Sequence, residues 1–186
     1  MAQAVSEHGY LAMNVEQVLV NAGVSRTTFY ENFDNKRDCV IAAHEQAFSR
    51  LSSELVAACA READWQAKLA AAVAAAIEFA TRAPEEALLL VIDAVAADSI
   101  LASRVMASND FFVGLLRNGR EECPGAAELP ELTERALIGA MTSIVGAKLM
   151  SGQADRLIEL EPQLVQLMLM PYVGVEEACG AAEADL

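Results

Sequence analysis

Apolar residues recur three and four positions apart along most of the chain, and β-type alternation is absent; the pattern predicts helices throughout. Val15, Val18, Leu19 and Ala22 give a short helix one apolar face, with Asn14 as its cap and Gln17 as the reciprocal partner of a capping box. Gly23 stands where a helix end often needs a left-handed residue. Val24 packs the turn, and Ser25 caps a second short helix from Arg26 to about Tyr30. Asn35 caps a third, which runs from Lys36 to about Ala60 without Gly or Pro. Val40, Ala43, Ala47, Leu51, Leu55 and Ala58 form its buried face.

Beyond that long helix the pattern continues. Asp64 caps a helix from Trp65 to about Arg82, closed by Pro84. Residues 87–97 are apolar on nearly every side and predict a buried central helix, interrupted by Asp93. A carboxylate there calls for a partner Arg, a cap contact or a ligand. The next helix starts at Asp98 or Ser99 and ends near Arg117, with Leu101, Val105, Phe112, Leu115 and Leu116 facing inward. Residues 119–130, with two Pro and two Gly, read as a surface loop. Leu132 to Met150 carries Leu137, Met141, Ile144 and Lys148 on one face. Its other face is made of small residues: Ala136, Gly139, Ala140, Ser143, Gly146 and Ala147. Two interior glycines cost a helix about 1 kcal/mol each, which close approach of another helix would explain. A last helix begins near Pro162 and is expected to end at Pro171. Residues 175–186 read as an acidic tail whose composition predicts disorder.

The fold class is therefore all-α: a three-helix domain over residues 1–45 followed by a helical domain over 46–174. A helix, a tight turn containing Gly and a second short helix make a helix-turn-helix. Its second helix would present Ser25, Arg26, Thr27 and Thr28 to base edges in the major groove. Asn14, the Tyr30 hydroxyl and Lys36, at the first turn of the following helix, are candidate phosphate contacts. Phe29 and Phe33 point into the core beneath.

The run G-Y-x-x-x-N-V-x-x-V-x-x-x-A-G-V-S-R-T-T-F-Y-E-N-F-x-N-K, from Gly9 to Lys36, resembles the DNA-binding domain of the TetR family of bacterial repressors. It covers about a quarter of the chain. The resemblance implies a variable C-terminal ligand-binding and dimerisation domain, two-fold dimers through the last two long helices, and a palindromic operator. It also implies a complete first helix before the Gly-Tyr, where this chain has Met1 to His8, about two turns. Where the family has Thr, this chain has Met13; Asn14 is the residue placed to substitute for it.

Composition adjusts this picture in two places. The net charge of −14 is mostly remote from the motif: residues 1–50 hold four Lys or Arg against six Asp or Glu. Such a domain is expected to hold arbitrary DNA weakly and to rely on specific contacts. The cysteines Cys39, Cys59, Cys123 and Cys179 have no metal-ligand spacing, and His8 and His44 lie apart, so free thiols and no metal site are expected. No cofactor is implied. The sequence has no signal-peptide pattern and no apolar run of membrane-spanning length, so a cytoplasmic protein without membrane contact is expected.

The sequence thus points to a ligand-responsive DNA-binding transcriptional regulator, most often a repressor in the family it resembles. It would bind DNA as a homodimer through residues 132–150 and 159–170 and be released by a small apolar effector. Trp65, Phe79, Asp93, Phe111, Phe112 and Met141 are the candidate cavity walls. No nucleophile–base pair or phosphate loop suggests an enzyme. A dimeric ligand binder that has lost operator binding and an all-α enzyme using the cavity are the alternatives.

Overall fold

Short-range capping decides where the early helices begin. The computed structural model of the chain describes residues 1–91, 99–176 and 178, with residues 7–11 and 99 described by their backbone alone. In α2 (Val15–Ala22) the capping box closes as expected: Gln17 N–H donates to Asn14 Oδ1 at 3.0 Å, and Asn14 N–H to Gln17 Oε1 at 2.7 Å. Gly23 ends that helix at φ 65°, a conformation that costs little only without a side chain. Ser25 caps α3 (Arg26–Asn32), Asn35 caps α4 (Lys36–Cys59), and Asp64 caps α5 (Trp65–Arg82).

The first helix is longer than expected. α1 (Ala2–Ala12) carries on through Gly9 and Tyr10, with Ala4 and Val5 buried on its inner side. Docking of that side against α6 (Pro84–Val91) offsets the helix-weakening glycine. α7 (Ser99–Arg117) follows; residues 92–98, including Asp93, lie outside the described residues.

Residues 119–130 are not a loose loop. Gly119–Glu122 form a short helix, α8, and Pro124–Glu128 a 3-10 turn, with Cys123 and Ala126 buried. The reason is a side chain the hydrophobic pattern does not reveal. Arg120 donates to the Leu129 and Pro130 carbonyls at 2.7 and 2.8 Å and to Glu134, which is fully buried on α9 (Thr133–Met150). In α10 (Glu161–Val173) Pro171 lies inside the last turn; the helix ends at Gly174 instead. Having no N–H, Pro171 leaves out the bond to the Leu167 carbonyl, and the helix still runs two residues past it to Val173. The start of the expected tail is packed: Ala178 N–H donates to the Gly174 carbonyl at 3.2 Å and the residue is buried.

Two cores result. One lies among α4, α5, α6, α7, α9 and α10 and includes Phe79, Ile77, Leu116 and Leu169. The other gathers Ala4, Val5, Met13, Leu19, Phe29 and Val40 beneath the helix-turn-helix, and is completed by Leu89 of α6 and by Leu101 and Val105 of α7. The N-terminal core therefore draws on residues far beyond position 45. Ion pairs tie α4 to its surroundings, among them Arg50–Glu86 to α6, Glu54–Arg82 to α5 and Glu45–Arg104 to α7. Beside the Glu45–Arg104 pair lies His44, buried without a hydrogen-bond partner for Nε2 among the described residues; its burial lowers its pKa. Among the described residues no helix is long and apolar enough to cross a membrane, and no cluster of His, Cys, Asp or Glu could hold a metal ion.

Candidate functional site: a helix-turn-helix face and an apolar cavity

Ser25, Arg26, Thr27, Thr28 and Tyr30 are all exposed on one side of the N-terminal domain, while Phe29 turns inward and Phe33 packs at 5.5 Å from it. Not all of these side chains are equally available. Ser25 Oγ accepts from Thr28 N–H at 3.1 Å and lies 2.9 Å from Thr28 Oγ1, so both hydroxyls are partly spent on the cap. Thr27 makes no such bond and is free to reach outward. Arg26 forms an ion pair with Glu16 of α2, both well exposed. A guanidinium has five donors, so those outside the pair remain for a base edge. Such an exposed pair is weak and exchangeable.

Asn14 is exposed, but its side chain is the cap of α2. The capping box also takes up the backbone N–H groups of Asn14 and Gln17, leaving those of Val15 and Glu16 in the first turn to face an anion. Lys36 is half-buried, and its Nζ donates to the Met13 carbonyl at 2.8 Å. The cation thus links the start of α4 to the joint between α1 and α2, beside the Asn14 cap. Met13, standing where the family it resembles has Thr, is buried in the core.

Beneath this domain a partly open cavity of about 110 Å³ lies among α4, α5, α6, α7, α9 and α10. Leu51 and Leu55 supply its α4 wall, Leu90 and Val91 its α6 wall, and Met168 its α10 wall. Of the residues expected to line it, Phe79, Phe112 and Met141 do. Trp65 and Phe111 do not. Trp65 is buried against Tyr172, ring centroids 4.5 Å apart, with its indole N–H directed at the Leu115 carbonyl at 3.4 Å. Phe111 sits edge-on to Phe48 at 5.6 Å and to Phe112 at 5.4 Å. Asp93 lies outside the described residues.

Almost all of the lining is hydrocarbon; Asn109 and Thr142 are the polar residues among those described. Asn109 is the functional candidate that sequence reasoning missed. Its signal was present: it stands three residues before Phe112 and four after Val105, in register with the apolar stripe of α7.

Far from the helix-turn-helix residues, Glu134 accepts from Arg120 Nε at 2.5 Å, Arg120 Nη2 at 3.0 Å and the Tyr172 hydroxyl at 3.2 Å. Burial raises the Glu134 carboxyl, but the bonds from Arg120 and its own backbone outweigh this and hold it below its ordinary value. Burial, and then Glu134 itself, push the Tyr172 phenol up. The cluster joins α8, α9 and α10 and reads as a structural clamp.

Residues 2–43 match the sequence model of bacterial regulatory proteins of the tetR family. No curated protein sequence matches the chain. Among solved structures, the chain is similar to the fatty acid degradation regulator FadR from Bacillus halodurans, with 23% identity and a TM-score of 0.77, covering 90% of this chain and 93% of that one. It is also similar to the transcriptional regulator FadR from Bacillus subtilis, solved in complex with stearoyl-CoA, with 18% identity and a TM-score of 0.70 over 91% and 94% of the two chains. A tetR-family regulatory protein from Rhodococcus RHA1 aligns with 14% identity and a TM-score of 0.69 over 93% of each chain. At these identities the likeness establishes the all-α, TetR-like fold.

Proposed function

From a chain whose N-terminal domain is that of the tetR family of bacterial regulatory proteins, we propose a transcriptional repressor that binds a palindromic operator as a homodimer and is released by a small effector with an apolar chain. The observation that carries this reading is the sharing of α4 and α6 between the helix-turn-helix core and the cavity. Leu51, Leu55 and Leu90 face the cavity, while Val40 of α4 and Leu89 of α6 sit in the N-terminal core.

The cavity is small beside the roughly 300–1,000 Å³ typical of ligand pockets. An effector of ordinary size would have to displace its walls. Movement of α4 would carry Lys36 and the packed base of α3 with it, changing the separation of two recognition helices in a dimer. The effector's leverage equals its differential affinity for the open and closed cavities. Stearoyl-CoA in the Bacillus subtilis relative is a ligand with a long hydrocarbon chain, and the hydrocarbon lining here supports a chain of that kind.

Dimerisation through α9 and α10 is part of the proposal. Leu132, Ala136, Gly139, Ser143, Ala147 and Met150 are exposed along one side of α9, a stripe of small and apolar residues suited to a second helix pair. Gly146, by contrast, faces inward against Val91.

Fluorescence-anisotropy titration against the DNA upstream of the protein's own gene, beside a scrambled duplex at fixed salt, tests the reading. A preference of about a thousandfold is expected. Equal, weak binding to both duplexes would leave a dimeric ligand binder without operator recognition and would overturn the proposal.

A further inference from the structure

The cavity also carries information about the polar end of its ligand. Among the described residues, the Asn109 side-chain amide lines the cavity half-buried and has no hydrogen-bond partner, in contrast to Thr142, whose Oγ1 donates to the Gly139 carbonyl at 3.1 Å. No Lys, Arg or His is among the described lining residues. Residues 92–98, outside the described set, contain none in sequence either. Five arginines on the surrounding helices are paired elsewhere, Arg104 with Glu45, Arg135 with Asp110, Arg82 with Glu54, Arg50 with Glu86 and Arg120 with Glu134, and Arg117 is exposed at the end of α7 and is not a lining residue.

We propose that Asn109 receives an uncharged carbonyl adjoining the ligand's hydrocarbon chain, and that the cavity discriminates against the free carboxylate of the same chain. This rests on the reading of the cavity as an effector site. An amide offers two N–H donors to a carbonyl oxygen, and the bond formed compensates the desolvation of both neutral groups. An ionised carboxylate brought to the same place would lose its hydration with no cation to compensate, a far larger penalty. The protein's net charge of −14 adds long-range repulsion against any anion. Esters, ketones and thioesters share the required chemistry; a free fatty acid lacks it.

The test uses the full chain and three probes of equal chain length: methyl decanoate, decanoyl-CoA and decanoate. Binding is followed by calorimetry at neutral pH. Wild-type protein should bind the methyl ester about a hundredfold more tightly than decanoate, the carboxylate being the buried charge without a partner. Comparable binding of decanoyl-CoA supports the inclusion of thioesters, and binding of it as weak as that of decanoate overturns that inclusion. Asn109→Leu should weaken the ester about tenfold, the worth of one hydrogen bond. Asn109→Lys should reverse the order and favour decanoate. Equal affinities for ester and carboxylate, or an Asn109→Leu variant that binds the ester unchanged, overturns the inference while leaving the effector site standing. Absence of binding by all three probes overturns both.

Discussion

Leu89 and Leu90 are consecutive on α6 and are buried in different cores, Leu89 under the helix-turn-helix and Leu90 on the cavity wall. One rigid turn of helix therefore belongs to both. Leu89→Ala should lower stability by about 3 kcal/mol, as large-to-small core changes do. It should also shrink the loss of operator affinity that an effector causes, because the N-terminal core no longer follows α6. Thermal melts and anisotropy titrations with and without methyl decanoate read both effects. Full retention of the effector response in Leu89→Ala would remove α6 from the coupling route.

The recognition helix predicts a split between two kinds of DNA contact. Arg26→Ala and Thr27→Ala should each cost specific binding about 1–3 kcal/mol with little change on scrambled DNA. Lys36→Ala should weaken both duplexes and make the salt dependence shallower by roughly one ion. Because Lys36 also holds the Met13 carbonyl, that variant alone should melt slightly earlier. Equal losses from all three on both duplexes would end the assignment of Arg26 and Thr27 to base edges.

Gly119 tests the packing of the α8 connector. A Cβ at this position would lie 2.4 Å from two ring carbons of Trp65, which is itself pinned between Tyr172 and the Leu115 carbonyl. Gly119→Ala should cost about 1–3 kcal/mol, the range for overpacking. The chain has a single Trp, so its emission should report the displaced ring directly. A variant with wild-type melting and an unmoved emission maximum would mean the connector yields.

The Glu134 clamp gives the fold a pH dependence of definite sign. The folded carboxyl lies below its ordinary value, so its contribution is complete above the unfolded-chain pKa, about 4.3. That contribution is lost as the pH falls through the lower folded value. Glu134→Gln should lower Tm at neutral pH and flatten the acid decline below about pH 4.3. Parallel Tm curves for variant and wild type across the acid range would show that the carboxylate's charge is not what matters.

Gly139 tests the proposed dimer apart from the protomer. A side chain there meets nothing within 4 Å inside the protomer, yet the position lies in the middle of the exposed α9 stripe. Gly139→Arg should leave melting of the isolated protomer unharmed, or raise it through helix propensity, while sedimentation shifts from dimer to monomer. A variant that still sediments as a dimer would move the interface off α9.

What the sequence disclosed depended on range. Asn14, Ser25, Asn35 and Asp64 cap helices through partners three residues away, so their roles were legible before any fold was known. Residues 119–130 were misread because Arg120 is held by Glu134, fourteen positions on, and composition alone made a Pro- and Gly-containing segment look loose. The aromatic residues divide for the same reason. Phe79 and Phe112 line the cavity while Trp65 and Phe111 fill other spaces, and hydrophobicity is identical evidence for either fate. Pro171 was taken as a stop because proline breaks helix interiors, yet the helix runs two residues past it to Val173.

The sparse positive charge of residues 1–50 has a kinetic consequence. Release of counterions by cationic side chains is what lets a protein linger on DNA of any sequence and slide along it. With four such residues against six acids, and with Lys36 and Arg26 each already engaged within the domain, this protein has little to slide with. Under the proposed function, its search for an operator would proceed by repeated encounters from solution. Occupancy would then follow the number of molecules in the cell closely, and a modest change in expression would reset the threshold at which a regulated gene responds.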